Sequence, residues 1–197
     1  MNMTSVQWIK LLERQSRDFN KLVFAITELT ALSGLKRPSL SVQLSRLTKA
    51  GVFIRYGHGL YGIQEYPPEL IIGYLDAAAY CTGHYALFKH GFITQMPTVV
   101  ACFTNRHHGR SRIVSAGANT FEFVMPGAGI YRHPVSSALA SPEQAFCDFI
   151  FICRNRGITP DSVVTMRKTA NLNKKEIERL LENYSNTVHE EALRLLR

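Results

Sequence analysis

Apolar residues near the start of the chain recur with the period of a helix. Val6, Ile9 and Leu12, with Trp8 and Leu11 alongside, predict an amphipathic helix from Ser5 to about Arg17. "KLVFAI" is a short β-prone run. Thr27 then reads as the N-cap of a short helix, "ELTALSG", that stops at Gly34. In "LKRPSLSVQLSRLTKAG", Pro38 suits a first helical turn, where its missing N–H has no partner to lose, and Gly51 suits a left-handed C-terminal position. Leu40, Leu44 and Leu47 form one narrow stripe on that helix, and Ser41, Val42, Ser45, Arg46 and Lys49 point the other way. A hairpin follows, with strands at 52–55 and 60–63 around Tyr56-Gly57-His58-Gly59.

"QEYPPE" breaks the pattern and marks a boundary, which divides the chain into 1–66 and 67–197. Beyond it, 69–79 and 83–90 read as helices. "TVVACFTN", "RIVSAG" and "NTFEFVMP" read as strands, separated by "RHHGRS" and "GAN". "SPEQAFCDFIFICRNRG" is a helix with Ser141 as cap, Pro142 at its first position, Glu143 in its first turn and Gly157 at its end. "NKKEIERLLENYS" and "HEEALRLLR" predict two more. The class is α+β. Helix, short helix, turn, helix and hairpin in that order predict a winged helix-turn-helix, followed by a mixed α/β domain with a small sheet and several helices.

Charge sharpens the reading of the first domain. The chain carries a formal net charge of +8, and residues 1–66 hold nine Lys/Arg against four Asp/Glu. Between Glu28 and Glu65 no carboxylate occurs, although Lys36, Arg37, Arg46, Lys49 and Arg55 all lie there. A one-signed span of that length favours a polyanion. A helix that enters a major groove needs a polar outer face that reaches base edges and phosphates. Ser39, Ser41, Ser45 and Arg46 supply hydrogen-bonding groups, Val42 an apolar contact for a thymine methyl, and Lys36, Arg37 and Lys49 phosphate contacts. Arg55 and His58 place further contacts on the hairpin. The expected partner is double-stranded DNA. A winged-helix module used only for protein contact is the competing reading.

The second domain offers little chemistry. Arg106, His107, His108, Arg110 and Arg112 share one loop, which suits an acidic partner or added phosphate contacts as well as a plain solvated turn. Cys81-x-x-His84 with His90 comes nearest to a metal site but lacks a second pair at zinc-ligand spacing. Cys81, Cys102, Cys147 and Cys153 show no disulfide spacing and read as buried thiols of a cytoplasmic protein. Glu122 and Asp148 are isolated acids, and no glycine loop, nucleophile elbow or carboxylate pair is present. Neither enzyme activity nor a cofactor is expected. Asp76 within "LIIGYLDAAAYCTGHYALF" argues against a membrane span there.

Several motifs together resemble the AbiEi family of antitoxins from type IV toxin–antitoxin (abortive infection) systems. In the first half they are Leu44-x-x-Leu47-x-x-x-Gly51 and Gly59-Leu60-Tyr61. In the second they are Tyr85, Ala86 and Leu87, then His90-Gly91, and later Pro142, Glu143, Ala145 and Asp148. The resemblance covers roughly residues 5–195. It implies a first domain that represses its own operon at promoter repeats, and a second that counters a co-encoded nucleotidyltransferase-like toxin, with or without a direct complex. Two alternatives stay open. One is a stand-alone regulator whose second domain senses a ligand or mediates dimerisation. The other is a nucleic-acid enzyme built around Glu122.

Overall fold

The computed structural model describes residues 3–109 and 112–196. The chain is of mixed α+β class and divides into two compact units. The first runs to Pro67 and takes in Val114–Asn119; the second holds Pro68–Ile113 and the chain from Thr120 onward. The segment Val114–Asn119, which the sequence pattern assigns to the second domain, thus belongs to the first unit.

In the first unit, α1 (Ser5–Phe19) begins at a reciprocal cap. The Thr4 hydroxyl accepts from Gln7 N, and Gln7 Oε1 accepts from Thr4 N at 2.8 Å. Next come β1 (Phe24–Ala25) and α2 (Ile26–Ser33). Thr27 does not cap α2: the cap position is Ala25, which has no acceptor, and the Glu28 carboxylate reaches back to Ala25 N at 2.8 Å. Gly34, left-handed at φ 67°, ends the helix, and α3 (Arg37–Lys49) starts three residues later with Pro38 in its first turn. β2 (Ile54–Gly57) and β3 (Leu60–Gly62) then form the hairpin, and β1 pairs with β3 to give the antiparallel order β1-β3-β2. The hairpin turn is shorter than its sequence predicts. Tyr56 stays in strand conformation because its ring is buried and its hydroxyl donates to the Gln64 carbonyl at 2.6 Å.

One core holds these elements together. Trp8 and Leu12 of α1, Leu29 of α2, Leu40, Leu44 and Leu47 of α3, and Phe24, Phe53 and Tyr61 cluster as buried residues. Trp8 meets Phe53 edge to face at 5.7 Å between ring centroids. The turn at Gly117 also belongs to this unit: its N–H donates to the Arg55 carbonyl at 3.0 Å. Gly117 has φ 60°, and a Cβ there would collide with the Glu65 carboxylate.

The second unit begins with α4 (Pro68–Leu75), which stops where the Asp76 side chain accepts from Ala78 N at 2.9 Å. The helix predicted to reach residue 79 is therefore shorter. It gives way to β4 (Tyr80–Cys81), which alternation cannot reveal in two residues. α5 (Gly83–Lys89) and β5 (Val99–Phe103) follow; the chain then runs through β6 (Ile113–Ala116), which from Val114 onward belongs to the first unit, and returns to the second in β7 (Asn119–Val124) at Thr120. β4 pairs with β5 antiparallel and β5 with β7 parallel, in the register Val100↔Phe121 and Cys102↔Phe123. α6 (Pro142–Asn155) is capped by Ser141 and buries every residue from Gln144 to Ile150. It packs against α5, α8 (Lys174–Leu181) and α9 (Asn186–Leu195), with the short α7 (Pro160–Val163) beside it. Among the described residues no helix is long and apolar enough to cross a membrane.

Leu44 is fully buried at the centre of the α3 stripe. Leu44→Ala is expected to cost the first unit about 2–5 kcal/mol, read as a lower midpoint in denaturant unfolding, whereas Val42→Ala on the open face changes it by about 0.5 kcal/mol or less.

Candidate nucleic-acid interface

α3 buries the stripe of Leu40, Leu44 and Leu47, half-buries Gln43 and Thr48 beside it, and leaves its other face in water. Lys36, Arg37, Ser39, Ser41, Val42, Ser45, Arg46 and Lys49 are all exposed, as are Arg55 and His58 on the hairpin. Ser41, Ser45 and Lys49 follow one another at i+4 spacing along one line of the helix; Val42 and Arg46 lie beside them. Val42, 54% exposed, is the apolar residue on that face.

The hairpin is brought against the start of α3 through β1. Ile26 N donates to the Gly59 carbonyl at 2.7 Å, so the hairpin turn sits beside the start of α2. The result is a cleft of about 370 Å³ lined by Arg37, Pro38 and Ser41 of α3, Arg55, Gly59 and Tyr61 of the hairpin, and Ile26. Arg55 is oriented by its own strand: its Nε donates to the Gly57 carbonyl at 3.1 Å, and a terminal guanidinium nitrogen lies 3.4 Å from His58 Nδ1. Tyr61 and Ile26 carry no local signal as cleft residues. Only the pairing of β1 with β3 puts them there.

This face carries charge of one sign: no carboxylate occurs between Glu28 and Glu65. Among the described residues, Lys36, Arg37, Arg46, Lys49 and Arg55 make no ion pair with a carboxylate. α3 also has no acid in its first turn. A helix N-terminus is itself positive, so Lys36 and Arg37 add repulsion there that an anion would relieve.

The basic loop of the second unit is built differently. The Asp76 carboxylate, buried at its centre, accepts from Thr104 Oγ1 at 2.5 Å and His108 Nε2 at 2.9 Å, with Arg106 Nε at 3.6 Å. Burial opposes ionisation of Asp76, but these donors hold its carboxyl below the usual range. His108 stacks on Phe123 with centroids 4.1 Å apart. Arg112 pairs with Glu122 at 3.0 Å, and Arg156 pairs with the other oxygen of the same carboxylate. His107 is exposed, and its Nδ1 accepts from Gly109 N at 3.2 Å. Arg110 lies outside the described residues. Nothing in the local sequence marks Asp76, more than thirty residues upstream, as the anchor of this loop.

The motif residues of the second half are mostly internal supports. Tyr85 is buried and donates to Glu69 Oε2 at 2.5 Å, and Lys89 pairs with the other oxygen of Glu69. His90 Nε2 lies 2.8 Å from the Ala140 carbonyl, and Gly91 is left-handed at φ 76°. His84 instead faces the Gln95 carbonyl at 3.0 Å, while Cys81 faces Cys102 at 3.8 Å between sulfurs, so the three nearest metal-like side chains serve separate partners. All four cysteines are free and buried. Asp148 accepts from Thr82 Oγ1 and from the Tyr184 hydroxyl, both at 2.5 Å. Complete burial pushes its carboxyl up to about 7, against the pull of those donors.

No family model and no curated protein matches the chain. Among solved structures it is similar to the RV2827C protein from Mycobacterium tuberculosis. The TM-score is 0.61 and the identity 14%, over 96% of this chain and 76% of that one. A likeness at that identity shows the fold alone.

Asp148 has a consequence for pH. Its carboxyl binds a proton more tightly in the folded than in the unfolded chain, so its contribution is fully present below about pH 4 and is lost as pH rises to about 7. Across that window it lowers stability by up to about 1.4 kcal/mol per pH unit. Asp148→Asn is expected to remove this component, which denaturant unfolding of both proteins at pH 5 and pH 7.5 measures.

Proposed function

We propose that this chain is a cytoplasmic DNA-binding antitoxin of the AbiEi kind, whose first unit is a winged helix-turn-helix that represses its own operon. The observation that carries the reading is the unpaired cationic face of α3 converging with the hairpin on one cleft. In this reading α3 enters the major groove. Ser41, Val42, Ser45 and Arg46 meet base edges, and Lys36, Arg37, Ser39 and Lys49 meet phosphates. Arg55 and His58 on the wing reach the neighbouring backbone.

The second unit would counter a co-encoded nucleotidyltransferase-like toxin, with Arg106, His107, His108, Arg110 and Arg112 as its contact loop. A non-catalytic role is supported by the commitment of its acids. Glu122 is shared by two guanidiniums, and Asp148 is sealed beneath two hydroxyl donors. The alternative, a regulator whose second unit senses a ligand, draws support from a cavity beside the same basic loop.

DNA binding tests the first half of the proposal. With the upstream promoter region as probe, log affinity is expected to fall linearly with log salt, with a slope of about −0.9 per phosphate neutralised. Arg46→Ala is expected to weaken specific binding by about 1–3 kcal/mol, and Lys49→Ala to reduce the slope by about one phosphate. Unchanged affinity in the double variant would overturn the reading. For the second half, co-expression with the neighbouring gene product is expected to restore growth that the product alone arrests.

A further inference from the structure

Two guanidiniums from different elements line the same cleft of about 370 Å³: Arg37 at the start of α3 and Arg55 on β2. We infer that this cleft seats a single phosphodiester of the DNA backbone, held at once by Arg37, by Arg55 and by the Tyr61 hydroxyl of β3. This rests on the DNA-binding reading of the first unit and makes it more specific: helix and hairpin share one phosphate, and neither grips it alone.

The register of the hairpin aims its side of the cleft. Arg55 and Tyr61 stand directly opposite each other in the β2–β3 pair, so their side chains leave the sheet on one face. Tyr61 is 9% exposed, with its ring edge to face against Phe53 in the core at 6.4 Å between centroids. Among the described residues its hydroxyl has no hydrogen-bond partner, and the sealed side-chain polar atoms without one are Trp8 Nε1, Gln43 Oε1 and Thr48 Oγ1. The Tyr61 oxygen is therefore not sealed, and the cleft that Tyr61 lines is its opening. A tyrosine with a buried ring ordinarily finds a partner for its hydroxyl, and here the open side faces the two arginines.

Arg55 is fixed but not neutralised. Its Nε donates to the Gly57 carbonyl, and a terminal nitrogen lies against His58 Nδ1, which leaves the rest of its five N–H donors. Gly117 N on the Arg55 carbonyl and Ile26 N on the Gly59 carbonyl hold strand and turn in place behind it. The helix side is equally open. Lys36 at the N-cap supplies no side-chain acceptor and the first turn has no acid, so the positive helix end at Arg37 is uncompensated. No residue that lines the cleft is a carboxylate. Two guanidiniums that face one space repel each other, and a phosphate between them turns repulsion into attraction, with oxygens for both forks and for the hydroxyl. A helix seated in the major groove has such a phosphate beside it, and Ser41 on the same wall remains for a base edge.

Ethylation interference with the full-length protein on the upstream promoter region tests the shared phosphate. Arg37→Gln and Arg55→Gln are each expected to lose interference at one and the same phosphate, and Tyr61→Phe to weaken it there. In direct binding, the plot of log affinity against log salt should flatten by about 0.9 in the Arg37→Gln/Arg55→Gln protein, one phosphate and not two. Tyr61→Phe keeps its ring in the core and should weaken binding about tenfold with an unchanged salt slope. Arg37→Lys and Arg55→Lys keep the charge without the fork, so they should keep the slope and still lose affinity. Thermal unfolding establishes that each variant is folded. Interference lost at two different phosphates, a slope change of about 1.8, or wild-type affinity in Tyr61→Phe would overturn the shared phosphate and leave DNA binding standing. No binding of the promoter region by the wild-type protein would overturn both.

Discussion

The narrowness of the hydrophobic contact made by α3 governs the rest of the first unit. Leu40, Leu44 and Leu47 enter the shared core, and each fully buried leucine contributes on the order of 2 kcal/mol. Because the stripe is only one residue wide at each turn, it anchors the helix and still leaves most of its surface to water. A broader apolar face would have tied up Ser41, Ser45 or Arg46 in packing. The same core places the hairpin: Phe53, just before β2, and Tyr61 of β3 both enter it, and so Arg55 comes to face the start of α3.

The two basic regions show opposite solutions to the same electrostatic problem. In the second unit Arg106 and Arg112 of the β5–β6 loop have carboxylates built in behind them, which tempers their field. The five cations running from Lys36 to Arg55 have no such compensation among the described residues. Uncompensated like charges on one small surface repel one another, and a surface that carries this cost gains most when an anion arrives. The contrast separates a cationic face without built-in counter-charge from a loop whose described arginines carry their own.

Much of this was legible in the linear pattern, and the failures share one cause. Long elements with periodic faces and end signals, α1, α3 and α6, begin and end close to where spacing and capping place them. Short elements do not reveal themselves. β4 is two residues long and exists because β5 offers it a ladder, and Tyr56 remains in its strand because a distant carbonyl takes its hydroxyl. The outward side chains of α3 could be read one by one, since a helix converts spacing into direction. Partners from far along the chain could not: Ile26 and Tyr61 reach the cleft, and Asp76 reaches His108, through pairings that no local window contains.

The return of Gly117 to Arg55 bears on how this molecule can be taken apart. A fragment cut after Pro67 would lack the turn that donates to the Arg55 carbonyl and lies against Glu65 and Tyr56. It would expose a bare backbone acceptor next to one of the cleft's own arginines. The first unit is therefore not a cassette that can be excised as one continuous piece, and grafting it elsewhere means carrying a second, sequence-remote splice along with it.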